Sequence, residues 1–179
     1  QIDAAGAAQL ATALESNTVL TALNLEWNEV GDCGAESLSE VLQAGSLLTE
    51  LNVGANYVGE AGISNLASSL RVNTTLQILV LSGNNVSDAG AALIASALQH
   101  NTSLHELLLD SNEISGAGAC SLAMTIKDNS QLSELDLDGN NVADQGACEL
   151  AAALHSRDCG LRRLWLNGND IGDAGAVAL

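Results

Sequence analysis

The sequence contains no phenylalanine and no proline, and aromatic residues make up only 2% of its 179 positions. The apolar fraction of 47% must therefore build a core from leucine, alanine, valine and isoleucine, and it is too large for a disordered acidic tail. Without proline, the turns must depend on the 17 glycines and on asparagine and aspartate. No apolar run approaches the roughly 20 residues that span a bilayer. The length fits one domain with an aliphatic core.

Basic residues are equally scarce. Five lysines and arginines stand against 22 aspartates and glutamates, which gives a formal net charge of −17. Nucleic acid and anionic membrane surfaces both require clustered basic side chains, so the composition excludes both as partners.

The four cysteines follow no regular interval and form no CxxC pair. We expect free, mostly buried thiols in a reducing compartment, and therefore a cytoplasmic location. The residues concerned are Cys33, Cys120, Cys148 and Cys159.

One pattern recurs along the whole chain. Six segments align without gaps, from LTALNLEWNEV at Leu20 to LRRLWLNGNDI at Leu161, at intervals of 28 residues with a single interval of 29 before Leu161. A second block, Gly-Ala-x-x-Leu, follows each segment, with Ile63 in place of alanine in one repeat and Ile94 in place of the leucine in another. The pattern divides the single domain 1–179 into a partial repeat 1–19, repeats 20–47, 48–75, 76–103, 104–131 and 132–160, and a partial repeat 161–179.

Each repeat predicts a short strand followed by a helix. In Leu23-Asn24-Leu25 the leucines alternate with a polar residue, which indicates a strand with one buried face. The second half has helical spacing, as in Leu93, Ala97 and Leu98 or in Leu150, Ala153 and Leu154. The repeated glycine indicates close packing where a side chain would clash. A carboxylate two residues before that block is expected to face the positive end of a helix, at Asp32, Glu60, Asp88, Asp144 and Asp173.

Two columns of asparagine mark the turns. We expect the first to satisfy buried backbone groups where the chain leaves the strand, at Asn28, Asn56, Asn84, Asn112, Asn140 and Asn169. The second closes the helices and is expected to serve turn conformations, at Asn17, Asn73, Asn101 and Asn129.

The LxxLxLxxN pattern with a 28-residue period resembles the leucine-rich repeats of the ribonuclease-inhibitor-like subclass. Within it, the chain is most similar to the repeat domain of nucleotide-binding leucine-rich-repeat (NOD-like) innate immune receptors. Strands about 4.8 Å apart and helices about 10 Å apart can stack only if the array bends. The sequence therefore predicts an α/β curved right-handed solenoid, with a parallel sheet on the concave face and helices on the convex face. Since neither end carries a polar capping repeat, we expect a fragment of a longer solenoid, or self-association through an uncapped end.

The concave face offers the candidate binding residues. An apolar patch (Ile78, Val80 and Leu108) lies beside an acidic cluster (Glu106, Asp110, Glu134, Asp136 and Asp138), with Glu50 on an earlier strand. Trp165 and Arg163, on the last strand, are residue types enriched at interface hot spots. We hypothesise a basic or amphipathic protein partner; the alternative is a solvated surface on which Arg163 merely neutralises Glu134. Trp27 and Tyr57, at the ends of two turns, are expected to cover the exposed end of the stack, with a second contact surface as the alternative.

No catalytic, metal or cofactor motif accompanies the repeats. Asp136-Leu137-Asp138-Gly139-Asn140 departs from the calcium-binding EF-hand at Asn141 and Ala147, and no zinc or nucleotide-binding motif is present. We predict a non-enzymatic protein-binding scaffold without cofactors, a ligand-sensing or autoinhibitory module. The alternatives are a ribonuclease-inhibitor-like inhibitor of a basic protein, although such inhibitors are richer in cysteine and tryptophan, and a regulator of a small GTPase or of an actin filament end.

Overall fold

Strands and helices alternate along a computed structural model that describes all residues, 1–179. The helices are Ala4–Ser16 (α1), Gly31–Gln43 (α2), Glu60–Leu70 (α3), Asp88–Leu98 (α4), Gly116–Ile126 (α5), Ala143–Leu154 (α6) and Asp173–Ala178 (α7). The strands are Ala22–Asn24 (β1), Glu50–Asn52 (β2), Ile78–Val80 (β3), Glu106–Leu108 (β4), Glu134–Asp136 (β5) and Arg163–Trp165 (β6).

The six strands form one parallel sheet in chain order, β1 to β6. Each strand pairs with the next in the same register, so that the central leucine of one strand faces the central leucine of its neighbour. Among the helices, each packs only on those directly before and after it. The predicted α/β fold is confirmed: a curved right-handed solenoid with the sheet on its concave face and the helices on its convex face, because helices need more room than strands.

The core is aliphatic and continuous. The central strand leucines of β2 to β5 are fully buried and pack against the inner faces of the helices. Two helix positions differ from the sequence expectation: Leu93 and Leu154 lie largely on the surface, and in α4 the core position belongs to Ile94. Adjacent apolar residues make the helical phase ambiguous, and only packing against the neighbouring helices selects the inner face.

The repeated helix glycine allows neighbouring helices to approach closely, as predicted. A Cβ atom on Gly146 would lie 2.6 Å from Val142 Cγ1 and 2.8 Å from the Cβ of Ala119, which belongs to the preceding helix. The same slot in α1 is held by Gly6, which has no preceding helix; a Cβ atom there would lie 3.1 Å from Ile2 Cγ2 and 3.6 Å from Asp3 Oδ1, with no packed helix behind either group.

This contrast predicts opposite effects of one substitution. Gly146→Ala should lower the free energy of unfolding by about 2 kcal/mol, because Ala119 cannot move without displacing its helix. Gly6→Ala should raise it by about 0.5 kcal/mol, because alanine favours the helix. Urea unfolding of both variants measures the difference, and an equal effect at the two sites would show that helix spacing does not depend on the glycine.

Three aspartates cap the helix of the following repeat rather than their own. Asp88, at the start of α4, accepts hydrogen bonds at α5 from the Ser115 amide (2.7 Å), the Ser115 hydroxyl (2.6 Å) and the Gly118 amide (2.9 Å). Burial alone would raise the pKa of Asp88, but these hydrogen bonds outweigh it and hold the pKa below its usual value. Asp32 caps α3 and Asp144 caps α7 in the same way. Three of the five predicted carboxylates thus join successive repeats, whereas Glu60 and Asp173 lie in the first turn of their helices without such a hydrogen bond.

Both asparagine columns bond buried backbone groups. Asn84 accepts hydrogen bonds from the amides of Asn56 (3.1 Å) and Val58 (2.9 Å) and donates to the carbonyls of Val53 (2.9 Å) and Leu81 (3.0 Å). The structural role expected of the first column is confirmed.

The second column does the same work at the opposite end of each repeat. Asn73 donates to the Leu42 carbonyl (2.9 Å) and accepts from the Leu76 amide (2.7 Å). No member of this column has a positive φ, so the expected tolerance of unusual turn conformations is not what these positions require. Asparagine is needed here because its side-chain NH2 donates to the preceding repeat while its side-chain oxygen accepts from the first residue of the following repeat.

Candidate functional site: the concave face

The candidate residues stand in columns across the sheet. The register places Glu50, Ile78, Glu106, Glu134 and Arg163 in one column and Val80, Leu108, Asp136 and Trp165 in a second. Because the central leucine of each strand packs against the core, fully buried in β2 to β5 and partly buried in β1 and β6, the flanking residues face the concavity. Glu50 is separated from Glu106 by Ile78 and stands apart from the acidic cluster.

The apolar patch and the acidic cluster meet at the middle strands. Ile78 and Val80 on β3 and Leu108 on β4 are half-buried, and Leu108 pairs with Asp136 in the neighbouring strand. Asp110, just beyond β4, accepts a hydrogen bond from the Ser82 hydroxyl. The surface therefore combines exposed methyl groups with carboxylates, which suits a ligand that has both apolar and cationic groups.

Arg163 and Trp165 close the acidic cluster at its far end. The Arg163 guanidinium pairs with Glu134 on the adjacent strand and with Glu106 at 3.2 Å, one strand further on. The Trp165 indole donates to Glu134 Oε1 at 3.0 Å and keeps 44% of the residue exposed. The pairing of Arg163 with Glu134, weighed from the sequence as an alternative to binding, is present, and it leaves the Trp165 ring open to solvent.

The remaining carboxylates organise the turn that follows the last strands. Asp138 accepts from the Asn167 amide (2.6 Å) and from the Asn167 side chain (2.8 Å), while its own amide donates to Asp136 Oδ1 (2.9 Å). No cation pairs with Asp136. Burial raises the pKa of Asp136, the Asp138 amide opposes this, and the charges of Asp110, Asp138 and Glu134 add to the rise.

Asp136 should accordingly lower stability at neutral pH. Its folded-state pKa is above the ordinary value, so ionisation disfavours the folded state above that pKa and stops doing so below 3.8. Asp136→Asn, which keeps the acceptor for the Asp138 amide, should raise the unfolding midpoint at pH 7 by about 1–2 °C. Thermal unfolding should show this gain disappearing at acid pH; a gain that is constant with pH would rule out the electrostatic origin.

Trp27 and Tyr57 do not have the structural role predicted from the sequence. They are 77% and 73% exposed and cover no part of the core, so the expectation that they shield the end of the stack is wrong. Both have left-handed backbone conformations, with φ of 59° and 57°. The sequence did contain a signal for the exposure of Trp27, because its repeat position is Ala, Gly or Ser in every other repeat.

The cysteines also differ from expectation. All four thiols are free, but Cys33 and Cys148 are exposed and the other two are half-buried, so the thiols are not mostly buried. Burial raises the pKa of Cys120, as do the charges of Glu149 and Asp88. No group of histidine, cysteine or carboxylate side chains has a metal-binding arrangement. None of the helices has the length and apolar character needed to cross a membrane.

The repeat pattern agrees with a known protein family. The family described as Leucine Rich repeat matches residues 16–39, 72–95, 100–123, 128–151 and 159–179, which together make up more than half of the chain. The chain belongs to the leucine-rich repeat family. No curated protein matches this leucine-rich repeat protein in sequence.

Solved structures share the fold. Actin-binding site 2 of leiomodin-1 is 24% identical, with 72% of this chain and 76% of that chain covered and a TM-score of 0.67. The tropomodulin C-terminal domain of Caenorhabditis elegans is 15% identical over 86% and 92% of the two chains, with a TM-score of 0.68. An internalin from Listeria monocytogenes is 19% identical over 96% and 48%, with a TM-score of 0.54. At these identities the likeness concerns the fold.

Proposed function

We propose that this leucine-rich repeat protein is a non-enzymatic scaffold that binds a basic or amphipathic protein segment on its concave face. The observation that carries the proposal is the juxtaposition, in one strand register, of the apolar patch with carboxylates that lack cationic partners, Asp110, Asp136 and Asp138. Trp165 adds an exposed aromatic anchor at the edge of this surface. Glu50, on the other side of Ile78, adds a separate carboxylate on the concave face toward the first repeats.

The carboxylates of the concave face favour electrostatic steering of a cationic partner. The net charge of −17 attracts a cationic partner over a distance of about one Debye length, roughly 10 Å at ordinary ionic strength. Leucines or other apolar side chains of an amphipathic segment would contact Ile78, Val80 and Leu108, while its basic side chains reach the carboxylates.

The first experiment uses a helical peptide with lysine on one face and leucine on the other. Isothermal titration at about 50 mM salt should show binding that weakens at least tenfold at about 500 mM salt. The matched control is the same peptide with every lysine replaced by glutamate, which should not bind. Equal binding of the two peptides would refute recognition by charge.

We further propose a ligand-sensing or regulatory role in the cytoplasm, of the kind found in NOD-like receptor repeats. The uniform 28-residue repeats support this proposal. The proposed unit is a single leucine-rich repeat domain, residues 1–179. A full-length chain with a nucleotide-binding domain before the repeats would support the receptor-type role, and its absence would exclude it.

Actin is the second candidate partner. The shared fold with an actin-binding site of leiomodin-1 and with a tropomodulin domain favours it over the small GTPase and ribonuclease-inhibitor alternatives. Pyrene–actin elongation from capped and uncapped filament seeds tests the candidate directly. A dose-dependent slowing at one filament end would support actin regulation, and unchanged elongation at saturating protein would exclude it.

A further inference from the structure

The first 70 residues of the chain contain no positively charged side chain. They hold nine of the carboxylates, whereas all five lysines and arginines begin at Arg71. The acidity of the chain is therefore uncompensated around β1 and β2, in contrast to the last strands, where Arg163 pairs with two glutamates.

Two of the three aromatic residues lie in this uncompensated region. Trp27 and Tyr57 occupy the turns after β1 and β2, at what we call the exit edge, where the chain leaves each strand. The Trp27 amide donates to the Gly54 carbonyl at 3.0 Å, which places Trp27 beside the turn that carries Tyr57. Both rings are largely exposed although the core of this protein contains no aromatic residue.

The backbone at Trp27 disfavours a bulky residue. Its equivalents in later repeats include Gly83, Gly139 and Gly168, which have φ of 63° to 65°, close to the 59° of Trp27. Glycine adopts this left-handed conformation without the steric cost that a side chain imposes. An exposed tryptophan in a position suited to glycine gains no burial in return, so stability does not explain its presence.

We propose that the exit edge is a second binding site, at the β1–β2 end of the solenoid and apart from the acidic cluster at β4 and β5, for arginine or lysine side chains of a protein partner. Trp27 and Tyr57 supply the aromatic faces that attract a cation, and the carboxylates come from Glu26, Glu29 and Glu60, all of them exposed. The Glu26 side chain lies over Gly54, held by a hydrogen bond from the Asn52 amide group at 3.4 Å. A cationic partner is favoured over an apolar one because each of these carboxylates lies within three residues of one of the two aromatic positions, and no lysine or arginine precedes Arg71.

The two tryptophans provide separate reporters of the two sites. In a Trp165→Phe chain, Trp27 is the sole source of tryptophan emission; in a Trp27→Gly chain, Trp165 is. An oligo-arginine peptide added to the Trp165→Phe chain at low salt should change the Trp27 emission, and Glu26→Gln with Glu29→Gln should weaken that response about fivefold. Oligo-glutamate serves as the matched probe and should leave the emission unchanged.

Substitution of Trp27 gives a second test, in which stability should increase while binding of a cationic peptide decreases. Trp27→Gly should raise the thermal unfolding midpoint. Introduced into the Trp165→Phe chain, it should also weaken oligo-arginine binding about fivefold, as measured by titration calorimetry. Trp27→Phe in the same chain should retain the binding. A Trp27 emission that ignores oligo-arginine, responds equally to oligo-glutamate, or varies with protein concentration alone would overturn the proposal. The Trp165 response of the Trp27→Gly chain reports the concave face independently, so failure of either site is recognised separately.

Discussion

We expect Asn84→Ala to lower the free energy of unfolding by about 4 kcal/mol, a large fraction of the stability of a typical domain. The substitution removes the hydrogen-bond partner of the Asn56 and Val58 amides and of the Val53 carbonyl, all buried in the middle of the solenoid. Each buried backbone group left without a partner costs about 1–3 kcal/mol. Urea unfolding followed by circular dichroism measures the loss.

Two further variants separate hydrogen bonding from packing. Asn84→Asp keeps the shape but cannot donate to the Val53 carbonyl, and it should be nearly as destabilising at neutral pH. Asn28→Ala changes the same slot in the first repeat, where the side chain is half-exposed, and should cost about 1 kcal/mol because water replaces the lost bonds. If Asn84→Ala cost no more than Asn28→Ala, the asparagine column would not hold the repeats together.

The second large effect concerns binding. Replacing Glu134, Asp136 and Asp138 by lysine should weaken binding of the basic amphipathic peptide at least a hundredfold, because two unpaired carboxylates become positive and Arg163 loses the partner that neutralises it. The salt dependence should also reverse, since screening then relieves repulsion. Titration calorimetry at two salt concentrations measures both effects.

The matched control is a triple reversal on the convex face. Glu36, Glu40 and Glu149 are exposed helix residues, and replacing them by lysine changes the net charge by the same amount. This control should weaken the peptide by no more than a few-fold. Equal losses in the two triple variants would show that overall charge, rather than the concave face, attracts the peptide. Because Asp138 also anchors Asn167, circular dichroism must first show that the first variant is folded.

Only part of the candidate site could be predicted from the sequence. Strand alternation around each central leucine was enough to place Ile78, Glu134 and Trp165 on one face and in adjacent columns. It did not predict that Arg163 also reaches Glu106, a residue 57 positions earlier in the chain and one strand beyond Glu134. Nor did it predict the exposure of Trp27, because the strand and helix patterns do not specify the direction of a side chain in the turn between them.

The sequence by itself determined the repeat, the strand–helix order and the buried leucines, because a 28-residue period fixes which residues face the same side of every turn. Only the tertiary structure decided which helix each aspartate caps. Asp32, Asp88 and Asp144 were expected at a helix end, yet each bonds the helix of the following repeat. Contacts between repeats depend on how far apart the stacked backbones lie, and local patterns carry no information about that distance.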